Sequence, residues 1–162
     1  MQDLLFEPIT IGTLKLKNRI MMPAMHLNMC RNFEVTERLQ AFYAERAQGG
    51  AGLICVGYAT IDELSGQPGN IGAHDDDFLP GLTRLAATIQ QGGAAACVQL
   101  NHAGRYNHSL FLGGKLPVAP SPLASRLTRE VPRPLDEGEI AQLIQHFATA
   151  ARRVQLAGFD AV

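Results

Sequence analysis

The pattern of apolar and polar residues divides the chain into strands and helices that alternate. Residues 9–16 alternate around Gly12-Thr13, which predicts a short β-hairpin. Short apolar runs rich in β-forming residues predict strands at 18–22, 52–59, 94–100 and from Phe159 onward. The runs at 52–59 and 94–100 show no polar alternation, which is typical of strands buried on both faces.

Helical spacing of apolar residues predicts three helices between these strands. They cover residues 37–48, 78–91 and the stretch from Asp136-Glu137 to Gly158. Thr36 is the expected N-cap of the first helix and Asp77 of the second. Loops are expected at 23–35, 60–77 and 101–135.

The order hairpin, then β-α-β-α-β-α-β, predicts an α/β fold with a parallel sheet and helical crossovers. Four strands in 162 residues fit half of a TIM (β/α)8 barrel, which needs eight strands in about 250 residues. We therefore expect residues 1–162 to be the N-terminal part of a barrel domain, truncated at strand four. The rival is a small doubly wound sheet. A dinucleotide-binding sheet would carry GxGxxG after its first strand, where this chain has Pro23-Ala24-Met25-His26.

Composition and charge exclude several classes of protein. With 14 basic and 15 acidic residues the net charge is −1, which argues against an electrostatic nucleic-acid binder. No apolar run approaches the roughly 20 residues of a membrane span, and the start MQDLLFEPIT is unlike a secretory signal. Three cysteines without a CxxC motif argue against a disulfide framework or a structural zinc site. These features predict a cytoplasmic protein with a small-molecule partner, and no partnership with nucleic acid or membrane.

In a parallel α/β architecture the chemistry lies where strands meet the following helices. Small residues in Pro23-Ala24-Met25-His26 would let a flat ligand approach the backbone, although His26 could equally be a solvated loop residue. Gln99 lies in an apolar strand, where its amide needs a partner. It could pair with a heterocyclic imide or with neighbouring backbone. Tyr58 could border a ring or merely cap the core.

Other polar groups carry weaker signals. His102 and Arg105 could bind an anion or hold a loop, and the loop role is favoured for His102. Capping of a helix explains His74-Asp75-Asp76-Asp77 better than a metal site does, so no metal ligands are predicted. Cys55 and Cys97 are expected to behave as small apolar residues inside strands.

Several long segments occur in an order that resembles the old yellow enzyme family of NADH:flavin oxidoreductases. They are LFEPITIGTLKLKNRIMMPAMH, FYAERAQGGAGLICVG, VQLNHAGRYN and the final AGFDAV. Within the family, the chain is most similar to the 2,4-dienoyl-CoA reductase branch. That similarity comes from Met25-His26, Gly104-Arg105-Tyr106, and the stretches VAPSP at 118–122 and VPRPL at 131–135.

The resemblance implies a TIM barrel with FMN at its mouth and the hairpin at 9–16 closing the bottom. It implies that Ala24, Met25 and His26 border the flavin and that Gln99 hydrogen-bonds its pyrimidine end. Tyr58 falls at a ring-contacting position where relatives often have Gly or Ala. His26 is also a candidate substrate contact.

The reaction implied by the resemblance is hydride transfer from NAD(P)H to FMN and then to an activated C=C bond of a 2,4-dienoyl-CoA-like or enone substrate. The family's proton donor, phosphate site and iron–sulfur cysteines would lie beyond Val162. We therefore expect no catalytic residue within these 162 residues, impaired activity, and self-association through open strand edges. The alternatives are a non-catalytic βα-repeat that needs a partner chain, and a metabolite-binding α/β module.

Overall fold

Parallel strands alternate with helices along the chain, after a separate N-terminal hairpin. The computed structural model describes residues 4–162. The strands are β1 (Ile9–Ile11), β2 (Leu14–Leu16), β3 (Met21–Met22), β4 (Leu53–Thr60), β5 (Ile71–Gly72), β6 (Ala95–Asn101), β7 (Val118–Ala119) and β8 (Arg133–Pro134). The helices are α1 (Glu37–Gln48), α2 (Leu79–Gln91) and α3 (Glu137–Leu156).

The central strand of the sheet is β4, which pairs in parallel with β3 on one side and β6 on the other. Ala161 then forms a parallel bridge to Cys97 of β6. The strands β3, β4 and β6 and the bridge of Ala161 thus lie side by side in chain order, with a helix in each crossover. This is the winding expected for the first units of a βα barrel.

The core lies between the sheet and the three helices. The strand residues that face the helices are almost fully buried: Ile54, Val56, Ala96 and Val98. The helices contribute their apolar stripes to the same cluster: Leu39, Tyr43 and Ala47 from α1, Leu82, Leu85, Ala86 and Ile89 from α2, and Ala150 and Val154 from α3. Burial of this apolar surface is the main source of stability in such a layered fold.

The opposite face of β6 differs from the prediction of a strand buried on both sides. Ala96 and Val98 are buried, whereas Ala95 and Cys97 are only half-buried and Gln99 is exposed. Within residues 4–162 the helices cover only one side of the sheet. The apolar sequence of β6 is therefore explained by its buried helix-facing side chains and by the small residues on its other face.

Strand ends and loops also differ from the predictions. The strand predicted at 18–22 is reduced to β3, since the buried Asn18 side chain binds the carbonyl of Gly50 at 2.8 Å and the N–H of Ile20 at 3.1 Å. The strand predicted from Phe159 is represented by the single bridge of Ala161. The predicted loop 60–77 contains β5, and the predicted loop 101–135 contains the parallel pair β7 and β8.

Of the two predicted helix caps, Thr36 is confirmed and Asp77 is wrong. The hydroxyl of Thr36 accepts the N–H of Leu39 at the start of α1. At the start of α3, Asp136 and Glu139 form a reciprocal capping box. Asp77 does not cap α2: the side chain of Asp75 instead caps a 3-10 turn, Asp76–Phe78, that leads directly into the helix.

No helix within residues 4–162 combines the length and the apolar character needed to cross a membrane.

Replacing Asp136 tests the cap of α3. We expect Asp136→Ala to lower the free energy of unfolding by about 1 kcal/mol, because the N–H of Glu139 loses its acceptor. Asp136→Asn keeps a side-chain oxygen and should cost only a few tenths of a kcal/mol. Urea denaturation followed by circular dichroism measures both, and equal losses for the two variants would contradict the capping role.

Candidate functional site

An extra residue in β4 shapes the carboxyl end of the central strand pair. Val56 pairs with Val98, but the next pair along the strands is Ala59 with Leu100. Gly57 and Tyr58 therefore both stand opposite Gln99, which is a β-bulge. Bulges re-aim side chains and bend the strand, and this one lies at the strand end where chemistry is expected.

The bulge brings the segment after β3 against the backbone of β4. His26 forms a parallel bridge to Gly57. A Cβ atom added at Gly57 would lie 2.5 Å from the Cβ of Ala24 and 3.4 Å from Oε1 of Gln99. Ala24, Gly57 and Gln99 are thus immediate neighbours. The methyl group of Ala24 occupies the place of a side chain at the buried Gly57, and Ala24 and Gln99 form the surface beside it.

The side-chain amide of Gln99 is available at this surface. The residue is exposed, and within residues 4–162 its amide makes no hydrogen bond in the structure. The prediction that Gln99 is a buried polar group in need of a partner is therefore wrong, because the face of β6 that carries it is open. The amide retains both a donor and an acceptor for a bound molecule.

Two aromatic rings border the surface that Ala24 and Gln99 form. The rings of His26 and Tyr58 lie with centroids 5.3 Å apart at an angle of 48°. Nε2 of Gln67 lies 3.3 Å from Nε2 of His26 and fixes the outer side of that ring. Burial raises the pKa of the Tyr58 phenol, an effect partly opposed by the nearby Asn70 amide, so the phenol stays protonated at neutral pH. Met25 lies between Ala24 and His26 in the chain, with its side chain 41% exposed.

A cavity of about 410 Å³ opens beside these rings. It is large enough for a small organic substrate and combines aromatic, apolar and amide groups. Its lining residues are His26, Tyr58, Gln67, Asn101, His102, Ala103, Tyr106, Asn107, Phe111 and Leu127.

Support for the bulge comes from Tyr43 on α1, a role that the sequence pattern did not predict. Tyr43 is fully buried, and its hydroxyl accepts the N–H of Gly57 at 3.4 Å. Burial raises the pKa of Tyr43 to about 12, so the hydroxyl remains neutral. The sequence did carry a signal for this role. A Tyr on an otherwise apolar helical stripe places a hydroxyl in the core, and a buried hydroxyl requires a hydrogen-bond partner.

Two thiols lie in the same strands, two residues before Gly57 and Gln99. Cys55 and Cys97 stand directly opposite each other on β4 and β6. Their mutual hydrogen bond lowers the pKa of Cys55 to about 7 and raises that of Cys97. Cys55 is buried and Cys97 is half-buried, so both thiols lie within their strands as expected. By contrast, burial raises the pKa of Cys30 to about 12.

Comparison with known proteins identifies the family. The model of the NADH:flavin oxidoreductase / NADH oxidase family matches residues 4–162. The chain belongs to this family. The resemblance to old yellow enzymes seen in the sequence is thereby confirmed.

The chain spans between about a sixth and a half of the length of the curated relatives it matches. It is 51% identical over 99% of its length to the "Metal reductase" of Desulforamulus reducens, of which it covers 24%. It is 36% identical over 98% of its length to the "NADH oxidase" of Thermoanaerobacter brockii, covering 25% of that protein. For the "NADPH dehydrogenase" of Geobacillus thermodenitrificans the identity is 34%, over all of this chain and 47% of the relative.

Solved structures show the same fold. The complex of 2-naphthoyl-CoA reductase with 2-naphthoyl-CoA superposes with a TM-score of 0.91 at 33% identity, over 98% of this chain and 26% of that one. Morphinone reductase in complex with tetrahydroNAD gives a TM-score of 0.90 at 28% identity, over 96% and 47% of the two chains. The α/β fold of the first half of a TIM barrel, predicted from the order of elements, is confirmed, and the doubly wound alternative is wrong.

The role of Tyr43 can be tested by removing its hydroxyl. We expect Tyr43→Phe to lower the free energy of unfolding by about 1 kcal/mol, because the buried N–H of Gly57 loses its acceptor. Tyr106→Phe is the matched control, since Tyr106 is exposed and its hydroxyl makes no hydrogen bond within the described part of the chain. A stability loss that is equal in the two variants would contradict the support of the bulge by Tyr43.

Proposed function

We propose that the protein is an FMN-dependent oxidoreductase, which takes hydride from NAD(P)H and delivers it through the flavin to an activated C=C bond. The observation that carries this proposal is the exposed, unpaired amide of Gln99 beside the small residue Ala24, which packs against Gly57. Family membership supports the same reaction class.

The residues at this surface fit a flavin ring. A planar tricyclic ring needs a contact surface without protruding side chains, and Ala24 carries only a methyl group, which packs against the backbone of Gly57. The pyrimidine end of a flavin presents an imide N–H between two carbonyl groups. The donor and acceptor of the Gln99 amide match that edge, and no other pairing inside residues 4–162 competes for them.

Bound FMN would supply the hydride chemistry, and the protein groups would orient the ring and the substrate. Gln99 would hold the pyrimidine edge, while Ala24 and Gly57 would allow close approach of the ring. Met25 would border the ring through its backbone. His26 and Tyr58 would separate the ring from the cavity of about 410 Å³ that would receive the substrate.

The cavity supports a narrower substrate class, an enone or an unsaturated thioester of the 2,4-dienoyl-CoA type. Tyr106, Phe111 and Leu127 give one wall an apolar character that suits a hydrocarbon chain. His26 lies on the polar side and is the candidate contact for a carbonyl oxygen. The resemblance of Met25-His26 and Gly104-Arg105-Tyr106 to the dienoyl-CoA reductase branch supports the thioester.

A second candidate is a βα-repeat that works only after association with a partner chain or a second copy. One specific observation favours it: Ile140, Ile144 and Leu156 of α3 are exposed apolar residues. Ile140 and Ile144 are one helical turn apart, and a contiguous exposed apolar patch is typical of an interaction surface.

Light scattering of the purified protein tests this second candidate. Association through the apolar positions of α3 predicts a mass above that of one chain, which Ile144→Glu should return to the monomer value. A monomer that already binds flavin and reduces an enone would contradict it.

Replacing Gln99 tests the flavin site. We expect Gln99→Ala to weaken FMN binding about tenfold or more, because a hydrogen bond to a charged or strongly polar ring edge contributes about 1.5–3 kcal/mol. Quenching of FMN fluorescence during titration measures the affinity. Gln91→Ala is the control, since Gln91 is an exposed residue at the end of α2.

Unchanged FMN affinity in Gln99→Ala would contradict the assignment of the flavin to this surface. Failure of the unmodified protein to bind FMN would contradict the proposed function itself. Anaerobic addition of NADPH and 2-cyclohexen-1-one to the FMN-loaded protein then tests the two hydride transfers in turn.

A further inference from the structure

His102 lies directly after β6, and its ring nitrogens have different environments. Nδ1 accepts the backbone N–H of Gly104 at 2.9 Å. A ring nitrogen that accepts a hydrogen bond carries no proton. In the neutral ring the proton is therefore on Nε2, and the hydrogen bond from Gly104 selects this tautomer.

The Nε2 side of the ring is buried. The side chain of His102 is 9% exposed, and Nε2 has no hydrogen-bond partner among the described residues. It faces Oδ1 of Asp62 at 3.6 Å, and the second oxygen of Asp62 lies 3.2 Å from Nδ1 of His146 on α3. A cavity of about 90 Å³ adjoins all three side chains.

The hydrogen bond to Gly104 fixes the start of a turn. Gly104 has a φ of +57°, a conformation that favours glycine, and it begins the 3-10 turn Gly104–Tyr106. The residues on either side of this turn bind the loop that follows β4. The N–H of Ala103 donates to the carbonyl of Ser65 at 2.9 Å, and the side chain of Asn107 donates to the carbonyls of Leu64 and Gly66.

The turn places Tyr106 at the candidate site. Tyr106 is 59% exposed and lines the cavity of about 410 Å³ together with Tyr58 and His26. Its side chain has no hydrogen bond in the described part of the chain. Its ring centroid lies 5.5 Å from the guanidinium carbon of Arg105 in the same turn, so its position depends on the turn itself.

We propose that His102 is a positioning residue, whose neutral ring holds the 104–106 turn and thereby places Tyr106 as a substrate-contacting wall of the cavity. This inference rests on the proposed function, since the cavity is taken to receive the substrate. In this proposal His102 does not contact the flavin, whose proposed contacts are Ala24, Gly57 and Gln99.

A dependence on pH follows from the ring. Burial lowers the pKa of His102, an effect opposed by Asp62 and reinforced by His146. The other charged groups around the small cavity are Arg133 of β8 and Glu139 of α3, which form an ion pair with each other at 2.7 Å. At neutral pH the ring is uncharged and accepts from Gly104. As pH falls through the lowered pKa, Nδ1 gains a proton and the turn loses this bond.

Two amide variants separate the roles of the two nitrogens. In His102→Asn the side-chain oxygen can take the place of Nδ1 and accept the N–H of Gly104. In His102→Gln the longer side chain reaches the position of Nε2 and leaves Gly104 without its acceptor. Hydrogen exchange of the Gly104 amide should therefore stay slow in the Asn variant and become fast in the Gln variant.

Steady-state kinetics of 2-cyclohexen-1-one reduction by the FMN-loaded protein provide the second readout. We expect His102→Gln to raise KM about three- to tenfold, the range for loss of one hydrogen bond, with kcat and FMN affinity little changed. His102→Asn should restore KM at neutral pH. KM should rise at acidic pH in the unmodified protein and in the control His146→Gln, but not in His102→Asn.

The outcomes distinguish this inference from the proposed function. Slow exchange of Gly104 in both variants, or equal KM values in both, would overturn the positioning role. A change in FMN affinity without a change in KM would also overturn it. If the unmodified protein binds no FMN, the proposed function fails, and the exchange of Gly104 alone decides whether His102 holds the turn.

Discussion

The pairing of β4 with β6 is the constraint on which the candidate site depends. The two strands pair without interruption as far as Val56 and Val98. One extra residue in β4 then shifts the register, so the next pair is Ala59 with Leu100. Without that residue, Gly57 would be an ordinary strand position. With it, a residue without a side chain lies against both Ala24 and Gln99, which brings these two residues together at the strand ends.

The same strand pair links the core to the site. The helix-facing residues of β4 and β6 are buried against α1 and α2, so the strands cannot slide without exposing apolar surface. Tyr43 extends this link, since its ring lies in the core and its hydroxyl reaches the N–H of Gly57. The opposite face of the sheet is free to carry polar groups, and Gln99 lies there. A rigid strand pair with one open end is a suitable support for orienting a cofactor.

Much of the fold could be predicted because its signals are local. Capping residues such as Thr36 and Asp136, and helical spacing of apolar residues, depend only on neighbours in the chain. The bulge could not be predicted, because it arises from the register between strands about 40 residues apart. The burial of Gln99 was predicted wrongly for a related reason: an apolar strand does not show which of its faces is covered.

The site shows the same division. The neighbourhood of Ala24, His26, Tyr58 and Gln99 could be expected, since parallel strands bring their carboxyl ends to one edge. The contributions of Tyr43, Gln67 and His102 could not, because each acts through a hydrogen bond to a residue that only the folded chain brings near or orients.

A map of amide chemical shifts during titration with FMN tests the central claim most directly. The account predicts that the largest changes fall on the side-chain amide of Gln99, the N–H of Gly57 and the backbone of residues 24–26. Changes confined to another part of the chain, or none at saturating FMN, would contradict it.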